Sequence, residues 1–360
     1  MKKKISVIGV GKLGLCFSLN LERKGYEIVG VDLNEDYVKK LTKKTFNSSE
    51  PFVNEYLADS KNIFFSTKLE DALVNDIIFI VVQTPSTIDH KYDHTRIDNI
   101  IENIKSFGIQ KNRKDIIINC TTFPGYCENL SKEVEKYNIK ISYNPEFIAQ
   151  GTIIRDQVMA DNVLIGQADE FAGNIIEKIY NDLCEKNPSI NKMSVTEAEI
   201  TKLSVNCFLT TKISFANMIG DIAERYNCNS HVILEAIGTD SRIGSKYLKP
   251  GFGFGGPCFP RDNKALSKCA DVVGVDAVIS KATDEMNKLH LEYQIESFIK
   301  NNPDKSIPVE LEYVTYKKES TLLEESQQLK FAIELHNLGY NVQVKDTREE
   351  VLSQIINYFQ

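Results

Sequence analysis

Short apolar runs alternate with a longer helical stretch in the first part of the chain. Ile5 to Ile8 is predicted to be a β-strand, and a helical pattern follows it through Leu21. Tyr26 to Val31 is predicted to be a second strand, which closes on Asp32. Because a strand, a helix and a second strand occur within about 30 residues, the pattern predicts a βαβ unit.

The same alternation continues downstream. The further predicted strands are Ile63 to Ser66, Ile77 to Val82, Ile116 to Asn119 and a run near Lys140 to Ser142. Strands that alternate with helical patterns favour an α/β fold with a parallel sheet.

A long helical pattern replaces this alternation from Thr196 to about Asn227. Thr196 followed by Glu199 predicts a capping box at its start. The apolar positions wrap more than one face, which is typical of a helix buried between domains or between subunits. Lys202 and Asn206 lie four residues apart and therefore share a face, although a solvated lysine near a helix start is the alternative interpretation.

Composition and charge narrow the range of partners. The chain has 360 residues, 42% of them hydrophobic, and a formal charge of −7 without a long basic block, so neither a nucleic acid nor a membrane is expected as a partner. The eight cysteines form no CxxC pair and no Cys/His cluster with zinc spacing. We therefore expect free thiols in a reducing cytoplasm and no metal site.

The turn after the first predicted strand carries the glycine pattern GxGxxG at Gly9, Gly11 and Gly14. In a βαβ unit, these glycines allow a tight turn, approach of the backbone to a pyrophosphate and close packing of helix on strand. Asp32 is placed to accept hydrogen bonds from ribose hydroxyls, and its charge would repel a 2′-phosphate. The cofactor expected here is therefore NAD rather than NADP.

Two later strand ends extend the predicted cofactor site. Thr84 and Thr121 follow the third and fourth apolar runs after the first helix, at the edge where ligands bind in open parallel sheets. Threonine at such a position is also common as a turn or cap residue. The predicted cofactor-binding residues are Gly9, Gly11, Lys12, Leu13, Gly14, Asp32, Thr84 and Thr121.

The segment GFGFGGPCFPRD, Gly251 to Asp262, has the composition expected around an accessible, reactive thiol. Its glycines let a ligand approach the backbone closely. Cys258 stands just before Pro260, a residue favoured in the first helical turn, so its sulfur is expected near a helix N-terminus, where the dipole favours the thiolate. A glycine-rich surface turn with an incidental cysteine is the alternative.

Several motifs together resemble the UDP-glucose/GDP-mannose dehydrogenase family over roughly residues 1 to 290. They are GVGKLG, VQTP, NPEFIAQGT, KLSVNCF, the RIG of Arg242 to Gly244 and GFGFGGPCFPRD. The resemblance implies an NAD-binding Rossmann domain (1–195), a central long-helix dimerisation region with the cysteine loop (196–290) and a short Rossmann-like C-terminal domain (291–360). It also implies a cytoplasmic homodimer that oxidises the primary alcohol of a nucleotide sugar to the carboxylate, with UDP-glucose the default substrate.

The family resemblance also assigns roles to residues. Cys258 would form thiohemiacetal and thioester intermediates, with Lys202 and Asn206 stabilising the oxyanion. Thr121 and Asp262 would hold a water, and Glu146, the only carboxylate of NPEFIAQGT, would be the base for hydrolysis. The substrate-binding residues implied are Phe147, Ile148, Ala149, Gln150, Lys202, Asn206, Arg242 (from a neighbouring subunit), Tyr247, Lys249, Gly255 and Lys317.

Two departures from the family pattern affect the substrate. Gln150 stands where the family commonly has an acid, which changes the charge of the substrate turn. In the third domain, which we expect to be shortened, Lys317 matches the family, but Glu324 falls where the family places a cation and would repel a diphosphate.

Two other functions are compatible with these patterns. A two-electron β-hydroxyacid dehydrogenase would share the NAD domain, the long helix and the lysine, but would have no use for Cys258. A homologue that has lost turnover would keep NAD binding and assembly. The number of NADH molecules formed per substrate separates these alternatives.

Overall fold

The computed structural model describes residues 3–148 and 151–359, and the chain divides into two compact units, residues 1–202 and 203–360. The first unit is built on one sheet of eight strands. Its strands are β1 Lys4–Ile8, β2 Glu27–Val31, β3 Ile63–Ser66, β4 Ile77–Ile80, β5 Lys114–Ile118, β6 Ile139–Tyr143, β7 Asn162–Gly166 and β8 Ser189–Met193.

Helices connect most of these strands. They are α1 Lys12–Arg23, α2 Glu35–Thr42, α3 Val53–Asp59, α4 Leu69–Ala72, α5 Thr95–Ser106, α6 Tyr126–Val134, α7 Ile153–Val158 and α8 Glu170–Leu183, with a short 3-10 turn at Glu135–Tyr137. The sheet has the strand order β3-β2-β1-β4-β5-β6-β7-β8. Every neighbouring pair is parallel except β6 and β7, which are antiparallel.

The strand order reverses between β1 and β4. The chain first runs outward through β2 and β3 and then returns to place β4 on the other side of β1. In doubly wound sheets, such a switch point opens a crevice at the carboxyl ends of the strands, where ligands bind. The sheet thus provides the crevice that the glycine motif requires.

The core lies on both faces of this sheet. β4 is buried at all four positions and β5 at all five, which is typical of parallel strands covered by helices on both sides. α1 buries a continuous run from Gly14 to Leu21 in one of the two clusters that form this core. The predicted α/β class with an N-terminal Rossmann arrangement is confirmed.

The second unit is mainly helical. Its elements are α10 Ser230–Gly238, α11 Phe259–Val272, α12 Val278–Asn301, β9 Val309–Leu311, α13 Gln327–Asn337, β10 Val342–Val344 and α14 Glu349–Ile355, with a 3-10 turn at Ile356–Tyr358. β9 and β10 are parallel, and α13 connects them. An aromatic cluster of Phe252, Phe298, Phe331 and Tyr340 packs at the junction of α12 and α13.

The long predicted helix is α9, Val195–Arg225, which contains residues of both units. Its predicted capping box is wrong. The reciprocal pair is Ser194 and Glu197: the Ser194 amide donates to Glu197 Oε2 at 2.8 Å, and the Glu197 amide donates to Ser194 Oγ at 3.3 Å. Glu199 is fully buried and binds elsewhere. Among the helices of the described ranges, none combines the length and apolar character needed to cross a membrane.

Candidate active site

The glycine turn between β1 and α1 has the geometry expected of a dinucleotide site. Gly9 has φ +90°, and a Cβ there would lie 2.3 Å from the Val81 carbonyl oxygen. A Cβ on Gly14 would lie 2.0 Å from the Gly9 carbonyl oxygen, so α1 packs directly on the turn. Gly11, by contrast, faces open space.

α1 begins at Lys12, with Leu13 next in its first turn and Gly11 as an N-cap without a side-chain hydrogen bond. The amides of this first turn and the positive end of the helix dipole are therefore available for a pyrophosphate. At the end of β2, Asp32 is half-buried, and its Oδ1 accepts from the Asn34 amide at 3.1 Å. The residues present fit a dinucleotide whose ribose hydroxyls meet a carboxylate.

Thr84 and Thr121 lie at the carboxyl ends of β4 and β5, as predicted. The Thr84 hydroxyl donates to the Thr121 carbonyl at 2.8 Å, and Thr84 is buried. This contact ties two neighbouring strand ends together. It gives Thr84 a structural function beside the predicted contact with the cofactor.

Glu199 holds the turn that follows Thr121. Its carboxylate accepts from the Thr122 hydroxyl and the Gly125 amide, both at 2.7 Å, and from the Cys127 amide at 2.9 Å. Burial raises the pKa of Glu199. The sequence pattern gave no signal for this role, because it assigned the carboxylate to the cap of its own helix.

Glu146 and Lys202 come together in the first unit. The Lys202 Nζ donates to the Glu146 backbone carbonyl at 2.7 Å and lies 4.3 Å from the Phe147 ring centroid. Lys202 is 7% exposed, so the alternative of a solvated lysine is wrong. The Tyr180 hydroxyl donates to Glu146 Oε1 at 3.0 Å. Burial raises the pKa of the Glu146 carboxyl, and this hydrogen bond and the Lys202 charge oppose the rise.

The segment after Glu146 is the predicted substrate turn. Phe147 and Ile148 are half-buried, whereas Ala149 and Gln150 lie outside the described residues. Beyond them, Glu50 accepts from the Gly151 amide at 3.0 Å and from the Ile153 amide at 2.8 Å. Glu50 is buried and was not found by sequence reasoning, because nothing near it in the chain points to a contact a hundred residues away.

Cys258 is exposed at the N-cap of α11, and Pro260 lies in the first turn of that helix, as predicted. In the same turn, Asp262 is buried, and its Oδ2 accepts from the Asn206 side-chain amide at 2.6 Å. The thiol is therefore accessible and lies at the end of a helix whose dipole favours a negative charge. Asn206 and Asp262, two predicted catalytic residues, are brought together in the second unit.

The segment Tyr316–Ser326, in the predicted third domain, lies against the glycine loop. The Gly256 amide donates to the Glu324 carbonyl at 3.0 Å, and a Cβ on Gly256 would lie 2.6 Å from the Tyr316 ring. A Cβ on Gly255 would lie 2.4 Å from the Glu325 carbonyl oxygen. The segment thus supports the loop through its backbone, a role that sequence reasoning missed.

Three predicted substrate residues follow α10. Arg242 pairs with Asp240 at 2.6 Å, and its side chain is 86% exposed. Tyr247 has φ +64° and is exposed, as is Lys249. Lys317 is half-buried, with its Nζ 3.8 Å from Glu319. Their contacts with a substrate stay predictions.

Comparison with known proteins extends these observations. Residues 3–184 match the NAD binding domain of the UDP-glucose/GDP-mannose dehydrogenase family, and residues 196–289 match its central domain. UDP-glucose 6-dehydrogenase TuaD of Bacillus subtilis (strain 168) is 33% identical over 308 residues, which cover 80% of this chain and 64% of TuaD. UDP-glucose 6-dehydrogenase YwqF of the same strain is 31% identical, covering 79% of this chain and 65% of YwqF. The chain thus spans less than two thirds of the length of both relatives.

A solved structure agrees with the fold. The structure of a UDP-glucose dehydrogenase from the hyperthermophilic archaeon Pyrobaculum islandicum superposes with a TM-score of 0.87 at 27% identity. The match covers 99% of this chain and 84% of that one, so it includes the C-terminal βαβ segment.

Proposed function

Because the chain belongs to the UDP-glucose/GDP-mannose dehydrogenase family, we propose that it oxidises the primary alcohol of a nucleotide sugar to the carboxylate with NAD. UDP-glucose is the proposed substrate, since both curated relatives above are named UDP-glucose 6-dehydrogenases. The observation that carries the proposal is the exposed thiol of Cys258 at the start of α11. A two-electron alcohol oxidation would not use it.

The proposed reaction has four steps and consumes two NAD and one water. The glycine turn before α1 and Asp32 would hold NAD, which accepts one hydride per molecule, so that one NAD would serve the alcohol and a second the thiohemiacetal. Cys258, as thiolate, forms a bond from Sγ to the aldehyde carbon, and the carbonyl π electrons move to oxygen. After the second oxidation, water breaks the thioester and releases the acid and the thiol.

Lys202 and Asn206 supply donors for the oxyanion of the thiohemiacetal. The Lys202 ammonium directs one proton to the Glu146 carbonyl, and an ammonium has three N–H donors in all. The Asn206 amide directs one to Asp262, which orients the second. Both side chains are almost fully buried, and a donor held in place in a low-dielectric environment stabilises a developing charge more than a solvated one does.

Glu146 is the proposed base for thioester hydrolysis. Burial raises the pKa of this carboxyl toward the working pH, which makes its carboxylate a better proton acceptor than a solvated one. Tyr180 orients the carboxylate through its hydrogen bond to Oε1. Thr121 would help to place the attacking water.

The experiment is a nucleotide-sugar panel assayed for NADH, with Cys258→Ser beside the parent. We expect two NADH per UDP-glucose from the parent and no acid from Cys258→Ser, which stalls at or before the aldehyde. Cys228→Ser is the matched control, since Cys228 is also exposed. One NADH per substrate, or acid formation by Cys258→Ser at the parental rate, would contradict the covalent mechanism.

We also propose that the chain forms a homodimer through α9. Phe208, Phe215 and Ile222 repeat every seven residues and so share a face of that helix. They are 66, 41 and 47% exposed. A row of large apolar side chains exposed along one helix is typical of an interface. The sequence also predicts a boundary near residue 290, between the central region and the short C-terminal domain. Within the second unit, this boundary stays a proposal.

A further inference from the structure

The glycine loop that precedes Cys258 is held at its first residue from two helices. The Gly251 amide donates to Asn217 Oδ1 on α9 at 3.0 Å. The Gly251 carbonyl lies 2.7 Å from His290 Nε2 and accepts from Gln294 Nε2 at 3.2 Å, both on α12. Side chains therefore bind both backbone groups of this glycine.

A second pair of hydrogen bonds to the loop comes from a residue one turn earlier on α12. Asn287 accepts from the Phe254 amide at 2.8 Å and donates to the Phe254 carbonyl at 3.0 Å. A Cβ on Gly253 would lie 2.2 Å from the Asn287 side-chain oxygen, so the loop passes directly over this amide. The thiol follows four residues after Phe254. Asn287 and His290 thus hold the loop that leads to the thiol against α12.

Both ring nitrogens of His290 face oxygen atoms. Its Nδ1 lies 2.9 Å from both carboxylate oxygens of Asp221, and its Nε2 lies 2.7 Å from the Gly251 carbonyl. All of these partners are acceptors, whereas a neutral imidazole has only one N–H. In the neutral ring, one nitrogen lone pair would face an oxygen lone pair. With Asp221 ionised, both contacts are therefore hydrogen bonds only when each ring nitrogen carries a hydrogen.

The surroundings of His290 are acidic and include a cavity. From α9 and the turn after it, the titratable groups that line this region are Asp221, Glu224 and Cys228, and from α12 the group is Tyr293. Two of them are carboxylates, and none is a cation. His290 is 4% exposed and lines a cavity of about 410 Å³.

We propose that His290, with hydrogen on both ring nitrogens, is a positioning residue for Cys258, because it ties the start of the glycine loop to α12 and Asp221. The proposal rests on the function proposed above for Cys258. It deepens that function, because it makes the geometry of the thiol depend on a charge about thirty residues away in sequence.

Two measurements that need no turnover test it. In protein labelled with ¹⁵N at histidine, we expect His290 to carry hydrogen on both ring nitrogens at about pH 6, its signal being assigned from its absence in His290→Gln. Hydrogen exchange of the peptide covering 251–257 should be at least about tenfold faster in His290→Gln than in the parent at that pH, since a hydrogen bond to a charged group is lost.

The matched control is His231→Gln, a change at an exposed histidine on α10 that should leave exchange in the loop unchanged. In the activity arm, kcat should fall in His290→Gln and stay parental in His231→Gln, while the affinity for NAD is the same in both variants. A neutral His290 ring at about pH 6, or equal loop exchange in parent and His290→Gln, would overturn the proposal. Because both results are independent of substrate, a failure of the proposed function would be recognised separately, as absence of NADH.

Discussion

Gly14→Ala is expected to destabilise the first unit because the new methyl group meets backbone. This Cβ would lie 2.0 Å from the Gly9 carbonyl oxygen, whereas a carbon and an oxygen normally approach to about 3.3 Å. α1 must therefore move by about 1.3 Å or the Gly9 turn must deform. Neither change is easy, since α1 buries the run from Gly14 to Leu21.

The size of the effect follows from two opposing contributions. Overpacking a core costs about 1–3 kcal/mol, and the upper end applies here because a carbonyl cannot rotate away as a side chain can. Alanine in place of glycine inside a helix returns up to about 1 kcal/mol. We expect a net loss of about 2 kcal/mol in the free energy of unfolding. For a unit of this size, that corresponds to a Tm lowered by roughly 4–8 °C.

Gly11→Ala is the matched control. Its Cβ would face open space, and the backbone there is extended, so the free energy of unfolding should change by less than about 1 kcal/mol. Affinity for NAD should nevertheless fall, because the methyl group occupies the side from which the pyrophosphate approaches. Urea unfolding without NAD and calorimetric titration with NAD measure the two effects. If the two variants unfold alike without NAD, the assignment of Gly14 to packing and Gly11 to cofactor approach is refuted.

Two further predictions concern assembly and pH. Phe215→Glu should convert the dimer to a monomer in analytical ultracentrifugation, because it places a charge in the proposed α9 interface, and an unchanged mass would exclude that face. Burial lowers the pKa of His94 from 6.5 to about 4, while its Nε2 accepts from the Phe123 amide at 3.2 Å. Since the unfolded chain binds this proton at higher pH than the folded chain does, stability should fall by about 1–2 kcal/mol between pH 7 and pH 5. This loss of stability between pH 7 and pH 5 should be absent from His94→Gln. The midpoints of urea unfolding at the two pH values measure the difference.

The elements that could be predicted from sequence are those whose signals are local. The glycine motif sits between two predicted strands, and its spacing alone determines the turn and the start of α1. Cys258 was placed correctly at a helix start because Pro260 marks the first turn within two residues. Such features depend on a few consecutive residues, so they can be predicted without knowledge of the surrounding fold.

The capping box shows where a local signal becomes ambiguous. Ser194 with Glu197 and Thr196 with Glu199 both satisfy the same spacing, two residues apart. Packing decides between them, because Glu199 faces the interior and is taken up by the Thr122 and Gly125 turn. The same limit applies to Lys202, whose burial against Phe147 involves a strand end more than fifty residues earlier.

The residues that sequence reasoning missed are all partners of distant backbone groups. Glu50 binds amides near residue 152, and His290 binds a carbonyl at residue 251. Each is an ordinary polar residue in its own neighbourhood. Only the three-dimensional arrangement reveals that Glu50 holds the turn after Glu146 and that His290 holds the start of the glycine loop.

The contact of Tyr316–Ser326 with the glycine loop has a consequence for biosynthesis. Tyr316 is made about sixty residues after Cys258, which at roughly 5–20 residues per second is a delay of about 3–12 s. During that interval, a ribosome has already produced every residue of the NAD-binding domain, while the glycine segment still lacks the chain that supports it. The nucleophile therefore acquires its final setting only after residues 316–326 have been synthesised, later than the dinucleotide-binding turn.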